Sequence, residues 1–152
     1  MTISRDDLLA LDSQLCFALV TAARNVVAIY RPILEPLGLT HPQYLVMLAL
    51  WESSPRTLND LADALAMDPA TASPLVKRLE TMGLVARQRS SSDERRLDIV
   101  VTPEGEALRE RALEVPPAVI EATGMSMHDI VALRESLRPF AGKKFVSPAS
   151  DS

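Results

Sequence analysis

Residues 57–102 change their hydrophobic period part-way along, and that change constrains the fold more than any other feature of the chain. In TLNDLADALAMDPATASPLVKRLETMG the apolar residues recur at spacings of three and four. Leu58, Leu61, Ala62 and Leu65 form one such set, and Ala72, Leu75, Val76, Leu79 and Met82 form the next. That is the repeat of two short helices, each burying one face. Thr57 is placed to cap the first, and Asp68 with Pro69 behind it the second. Pro74 removes one backbone bond inside the second helix, so a kink or a tight first turn is expected there. Gly83 stops the helix, and LVARQR and LDIVVT then alternate with a period of two around the turn-rich Ser90–Glu94.

Two short helices parted by Ala66 and Met67 have the spacing of a helix-turn-helix, and a hairpin directly after the second makes it winged. The expected fold is therefore mainly α with a small β-hairpin wing, an α+β winged helix-turn-helix. Its charge agrees with a nucleic-acid partner. The chain carries a net −4, yet Thr71–Arg96 holds six cations against three carboxylates. A basic segment on an acidic body suits binding to double-stranded DNA through one face. On the second helix Thr71, Ser73, Lys77 and Arg78 lie off the core face and could meet bases or phosphates in a major groove. On the hairpin Arg87, Arg89, Arg95 and Arg96 add charge, with Arg95 at the tip suited to a minor groove. Asp93 cannot favour DNA by charge, and its expected task is to hold a neighbouring arginine by a charge-assisted hydrogen bond. A solvated polar face is the plain alternative for both elements.

The remaining segments read as helices. Asp6–Tyr30 is helical in pattern, starting at Ser4 or at Asp12, and the second start would place Cys16 in or near the first turn. Pro32, Pro36 and Gly38 disturb or end it. Thr40 and Gln43 form a capping box ahead of YLVMLALW, apolar nearly all round and expected to be buried. Thr102-Pro103 caps a charged helix to about Val115, which Pro116-Pro117 would bend, and Ser126 with Asp129 caps a last helix ending near Leu137. The tail from Arg138 lacks a period and is expected to fray, with disorder over residues 146–152. No apolar run is expected to reach membrane-spanning length, no leader opens the chain, and one cysteine excludes an internal disulfide. A reducing cytoplasm is the expected setting, with no membrane partner. Neither a cofactor nor a metal site is expected.

Taken together, the capped helices, SPLVKRLETMGLVARQRSSSDERR and LDIVVTPEG resemble the MarR family of bacterial transcription regulators. The D-x-R pattern of Asp93 and Arg95 before T-P-E-G carries the resemblance, which covers about Leu11–Leu137. It implies an intertwined homodimer reading a pseudo-palindromic operator. Residues 1–39 and 106–145 would form the helical dimerisation region, and 40–105 the DNA-binding lobe. LDSQLCFAL, YRPILEPLGLTHPQYLVMLALWE and MDPATASPLVKRLE look more narrowly like the OhrR-type, organic-hydroperoxide-sensing branch. There the cysteine of the L-C-F stretch is the peroxide-reactive thiol, matched by Cys16. Tyrosines of the partner subunit support its thiolate, and Tyr30 matches one of them. The branch often has tyrosine where this chain has Val20, and commonly where it has His41. His41 could still stabilise a thiolate through an N–H or, when protonated, through its charge.

The resemblance implies repression relieved when an organic hydroperoxide oxidises Cys16, with a low-molecular-weight thiol able to capture the sulfenic acid. Two alternatives stand beside it. Free cysteine is among the most buried residue types, so Cys16 could be core or pocket wall in a repressor released by a small aromatic or anionic ligand. A thiol peroxidase is disfavoured, because no resolving cysteine is present and the basic wing would have no use. The chain is therefore expected not to be an enzyme.

Overall fold

The computed structural model describes residues 3–141. Ser4 caps a single helical turn, α1 (Arg5–Leu8), through a reciprocal box with Asp7. A 3₁₀ turn over Leu11–Ser13 follows, and the long helix α2 runs from Leu15 to Leu34. It starts at neither expected position. Its N-cap is Gln14, whose side-chain amide donates to the Leu8 and Ala10 carbonyls at 2.9 and 3.0 Å. These bonds occupy carbonyls left open at the end of α1 and turn the chain before α2 begins. Asp12 lies within the 3₁₀ turn. Pro32 is accommodated inside α2, and a 3₁₀ turn over Glu35–Leu37 ends the segment at Gly38, which sits at φ 71°. That left-handed conformation is open to glycine at little steric cost.

The capping box of Thr40 and Gln43 opens α3 (His41–Glu52), which buries Tyr44, Val46, Met47, Ala49 and Leu50. Thr57 caps α4 (Leu58–Ala64), and α5 (Pro69–Thr81) follows. Pro74 leaves α5 continuous. Its first turn is tight, with the N–H groups of Thr71 and Ala72 both donating to the Asp68 carbonyl at 2.9 and 3.0 Å. Ala72, Val76 and Leu79 point inward as expected, whereas Met82 is the C-cap and lies at the surface. The helical repeat has ended by that residue, so spacing no longer dictates where its side chain goes.

The hairpin comprises β1 (Val85–Arg89) and β2 (Leu97–Val101), antiparallel, in register from Val85 opposite Val101 to Arg89 opposite Leu97. Arg56 adds one rung on the other side of β2, exchanging two backbone hydrogen bonds with Ile99 at 3.1 and 2.8 Å. The wing is thereby stitched to the loop before α4. Thr102 caps α6 (Pro103–Ala112) and also donates its hydroxyl to the Gly83 carbonyl at 2.6 Å. Gly105 lies so close to the wing that an added Cβ would meet the Leu84 carbonyl oxygen at 2.3 Å. Its own carbonyl accepts the Trp51 indole N–H at 3.1 Å.

The charged helix stops at Ala112 rather than bending near Val115. The prolines open a separate helix, α7 (Val115–Thr123), because proline needs no N–H partner in a first turn. Ser126 then caps α8 (Met127–Leu137), and Arg138–Phe140 forms a 3₁₀ turn instead of fraying from Arg138. The disorder expected over 146–152 falls outside the described residues.

The core joins Leu34, Val46, Met47, Leu50, Leu61, Val76, Leu79, Val85, Ile99, Leu108 and Val115 from α2 through α7. α2 contributes mainly its C-terminal part, and it packs against α7 and α3. Its N-terminal half is bare, with Leu15 60% and Phe17 37% exposed, and Met127, Val131 and Leu133 on α8 are exposed as well. Within the 23 residues Leu15–Leu37, an 18-residue window has a mean hydropathy of 1.3. By length and composition alone that is enough to cross a membrane, although no unbroken apolar run of that length is present. The window average conceals the two arginines, Arg24 and Arg31, that break up the stretch.

Candidate functional site

The expected site residues fall into two clusters of contrasting chemistry. The first is basic. α5 presents Thr71, Lys77 and Arg78 to solvent and leaves Ser73 half-buried, while the hairpin exposes Arg87, Arg89, Asp93, Arg95 and Arg96. These cations are not equivalent. Arg87 reaches Glu80 on α5 at 3.4 Å, and Arg89 donates to the Glu94 carbonyl at 2.8 Å across the tip. Arg96 bridges Asp98 at 3.1 Å and Asp60 at 3.4 Å. Lys77, Arg78 and Arg95 have no side-chain partner among the described residues, so their charges remain available to a phosphate or a base edge.

Asp93 does not hold a guanidinium. Its carboxylate accepts the backbone N–H of Arg95 at 3.0 Å, and its carbonyl accepts the N–H of Arg96 at 3.0 Å. The side chain thus mimics a backbone turn two residues on. Ser90 closes the other side, with its N–H donating to the Arg96 carbonyl at 2.8 Å and its hydroxyl paired with that of Ser92 at 2.9 Å. The tip is a hydrogen-bonded scaffold from which Arg95 projects.

The second cluster lies along α2. Cys16 is exposed, in the first turn of the helix, close to backbone N–H groups that no helical carbonyl satisfies. Tyr30 is fourteen residues further on, which at 1.5 Å per residue is about 21 Å along the same helix. At about 100° per residue it returns to nearly the same face, so Cys16, Val20, Ala23, Val27 and Tyr30 form one stripe. Within one protomer Tyr30 cannot meet the thiol. It packs instead on His41, ring centroids 4.8 Å apart, and on Tyr44 at 5.9 Å. Burial raises the Tyr30 pKa and lowers that of His41. His41 is therefore biased toward neutral imidazole, which favours the N–H role over the charged one.

Sequence reasoning missed the surroundings of His41. Together with Val27, Arg31, Glu35, Leu39 and Thr40 it lines an open cleft of about 520 Å³ between the end of α2 and the start of α3. The signal was present as Arg31 in the last turn of α2 and Glu35 four residues on, where the 3₁₀ turn begins.

The family model for the MarR family matches residues 39–97. Over 131 residues the chain is 37% identical to the organic hydroperoxide resistance transcriptional regulator of Bacillus subtilis, covering 86% of this chain and 89% of that one. The chain belongs to the MarR family. Members of the MarR family bind DNA as dimers, and the solved structure of reduced AbfR bound to DNA is similar to this fold. AbfR is a protein of Staphylococcus epidermidis, and its reduced, DNA-bound form has a TM-score of 0.69 at 34% identity over 90% of this chain and 96% of that one. BpsR of Bordetella bronchiseptica, whose DNA binding is regulated by 6-hydroxynicotinic acid, gives a TM-score of 0.77 at 28% identity. That match covers 86% of this chain and 95% of BpsR. The chain is thus a MarR-type transcriptional regulator with relatives tuned in two different ways.

Proposed function

We propose that this regulator is a homodimeric repressor, working in the cytoplasm, that leaves a pseudo-palindromic operator when an organic hydroperoxide oxidises Cys16. The carrying observation is the placement of the thiol, exposed in the first turn of a long helix whose N-terminal half is left bare by the described residues of the protomer. Similarity to a hydroperoxide-resistance regulator supports the same reading. Residues 1–39 and 106–145 supply the dimer contacts, and Tyr30 and His41 approach the partner's thiol from across the interface. Thr71, Ser73, Lys77, Arg78 and Arg95 meet DNA.

Cys16 sits in the first turn of α2, and the thiolate form of a cysteine is the nucleophile. The thiolate attacks the terminal oxygen of ROOH, forming the S–O bond as the O–O bond breaks. The departing alkoxide takes a proton and leaves as ROH, and the sulfur, oxidised by two electrons, becomes a sulfenic acid. A small thiol, RSH, then forms a mixed disulfide with loss of water. A polar or bulky group in that apolar seam repacks the two α2 helices and changes the spacing of the two α5 helices. Half-site spacing is set by DNA geometry, so a small change weakens specific binding.

Titration of the operator-bound protein with cumene hydroperoxide tests this. The wild type is expected to dissociate and Cys16→Ser to stay bound. Release of Cys16→Ser at the same peroxide concentration would sink the thiol reading. A second reading draws on the cleft beside Arg31 and His41, where the Arg31 guanidinium and an apolar lining could receive a small aromatic anion despite the Glu35 carboxylate nearby. In that case a carboxylated aromatic releases DNA from both proteins, and peroxide releases neither.

A further inference from the structure

The wing's two adjacent arginines face different environments, and the difference assigns them different tasks. Arg95 has no side-chain partner among the described residues. Arg96 is held at its backbone and at two of its three guanidinium nitrogens. Its N–H donates to the Asp93 carbonyl, its carbonyl accepts from Ser90, and its guanidinium spans two carboxylates. One of these, Asp98 on β2, has a side chain only 9% exposed, and a buried carboxylate requires a partner. The other, Asp60, belongs to α4, thirty-six residues earlier in the chain. The planar guanidinium fork suits such a bridge, which a lysine ammonium could not reproduce with the same geometry.

We propose that Arg96 is a positioning residue of the DNA interface rather than a group that touches DNA, clamping the wing onto α4 through Asp98 and Asp60 and so fixing where Arg95 stands relative to α5. This rests on the DNA-binding part of the proposed function and is independent of the thiol. Asp60 and Asp98 take two of the three guanidinium nitrogens and offset its charge, which lowers its attraction for a phosphate. Because α4 packs directly on α5, the clamp ties the hairpin tip to the helix-turn-helix itself.

The two roles differ in their salt dependence. Removing one phosphate-binding cation from each protomer lowers the slope of log K against log salt by about 1.8, since each neutralised phosphate accounts for about 0.9. Operator affinity would be measured from about 50 to 200 mM salt, the range over which such slopes are steep, for the wild type, Arg95→Ala, Arg96→Ala and Asp60→Ala. Arg95→Ala is expected to lower the slope by that amount. Arg96→Ala is expected to lose about tenfold in affinity at every salt concentration with the slope unchanged.

Asp60→Ala keeps the test decisive if Arg96→Ala folds poorly, since Asp60 is exposed. It removes a negative charge near the DNA, so if Arg96 bound phosphate directly, affinity would hold or improve. As half of a clamp it is expected to weaken binding, by up to about fivefold on the scale of an exposed ion pair. A lowered slope in Arg96→Ala, unchanged affinity in that variant, or tighter binding by Asp60→Ala would each overturn the assignment. Failure of the wild type to bind any fragment with a salt-dependent affinity would instead sink the DNA-binding reading.

Discussion

The lobe built from α3 to β2 and the helical arm built from α2 and α8 solve the same problem differently. In the lobe, apolar side chains find cover within the protomer: Met47, Leu50, Leu61, Val76 and Leu79 are all but fully buried. In the arm, side chains of the same type stay open, and Leu15 and Leu133 are 60% and 50% exposed. The lobe's apolar face is closed within the protomer, by residues of α2, α6 and α7 as well as its own, whereas the arm's stays open among the described residues. In the proposed dimer, stability resides chiefly in one region and assembly in the other. A regulator divided in this way can have its assembly geometry altered without unfolding the surface that reads DNA.

The comparison can be broken most forcefully from the lobe. Leu61→Ala, at a site with no exposure, is expected to cost about 2–5 kcal/mol in denaturant unfolding. A cost under about 1 kcal/mol would mean that the lobe's core is looser than its burial implies. Phe17→Glu probes the arm. It is expected to leave the far-ultraviolet circular dichroism of the lobe in place and to shift the protein toward monomer in sedimentation. Operator affinity should fall by about 100-fold, because two linked half-sites bind with a high effective concentration. Unchanged dimer mass would show that this stretch of α2 does not lie in the interface.

The smallest effect sits where the regions meet. Burial depresses the His41 pKa, so below its unfolded value of about 6.5 the unfolded chain binds more protons at this site. The contribution is complete above that pH and is lost as pH falls through the folded value. Unfolding measured about one pH unit above and one below that value should show a larger acid loss in the wild type than in His41→Gln. An equal loss in both would show that burial of His41 does not set the acid limb.

What was legible in the sequence was largely what short-range chemistry decides. Thr40, Thr57, Thr102 and Ser126 each accept a backbone N–H three residues on, so the signal and its structural partner lie within one turn. The period change at Gly83 located the hairpin for the same reason. Misreadings arose where two rules competed or the partner was remote. Asp12 has the chemistry of a cap, yet Gln14 draws the chain into a 3₁₀ turn first. The prolines at 116 and 117 suit either a bend or a start, and pattern alone does not choose. For Arg96, the partner that defines its role lies on α4, where no spacing rule connects the two. Cys16 was legible as a position in a first turn, while its distance from Tyr30 within the protomer emerges only from the straight run of α2.

The close approach at Gly105 has a mechanical consequence. Close-packed interiors have low compressibility and transmit strain from one element to the next. At Gly105 the helix contributes no side chain of its own, so α6 rests close to the Leu84 carbonyl and the Val101 side chain at the root of the wing, with the Trp51 indole pinned to the same residue. Such a joint has little backlash. A tilt imposed on α6 would press on the root of the wing at this joint, as torque passes through a keyed shaft rather than through a rubber coupling.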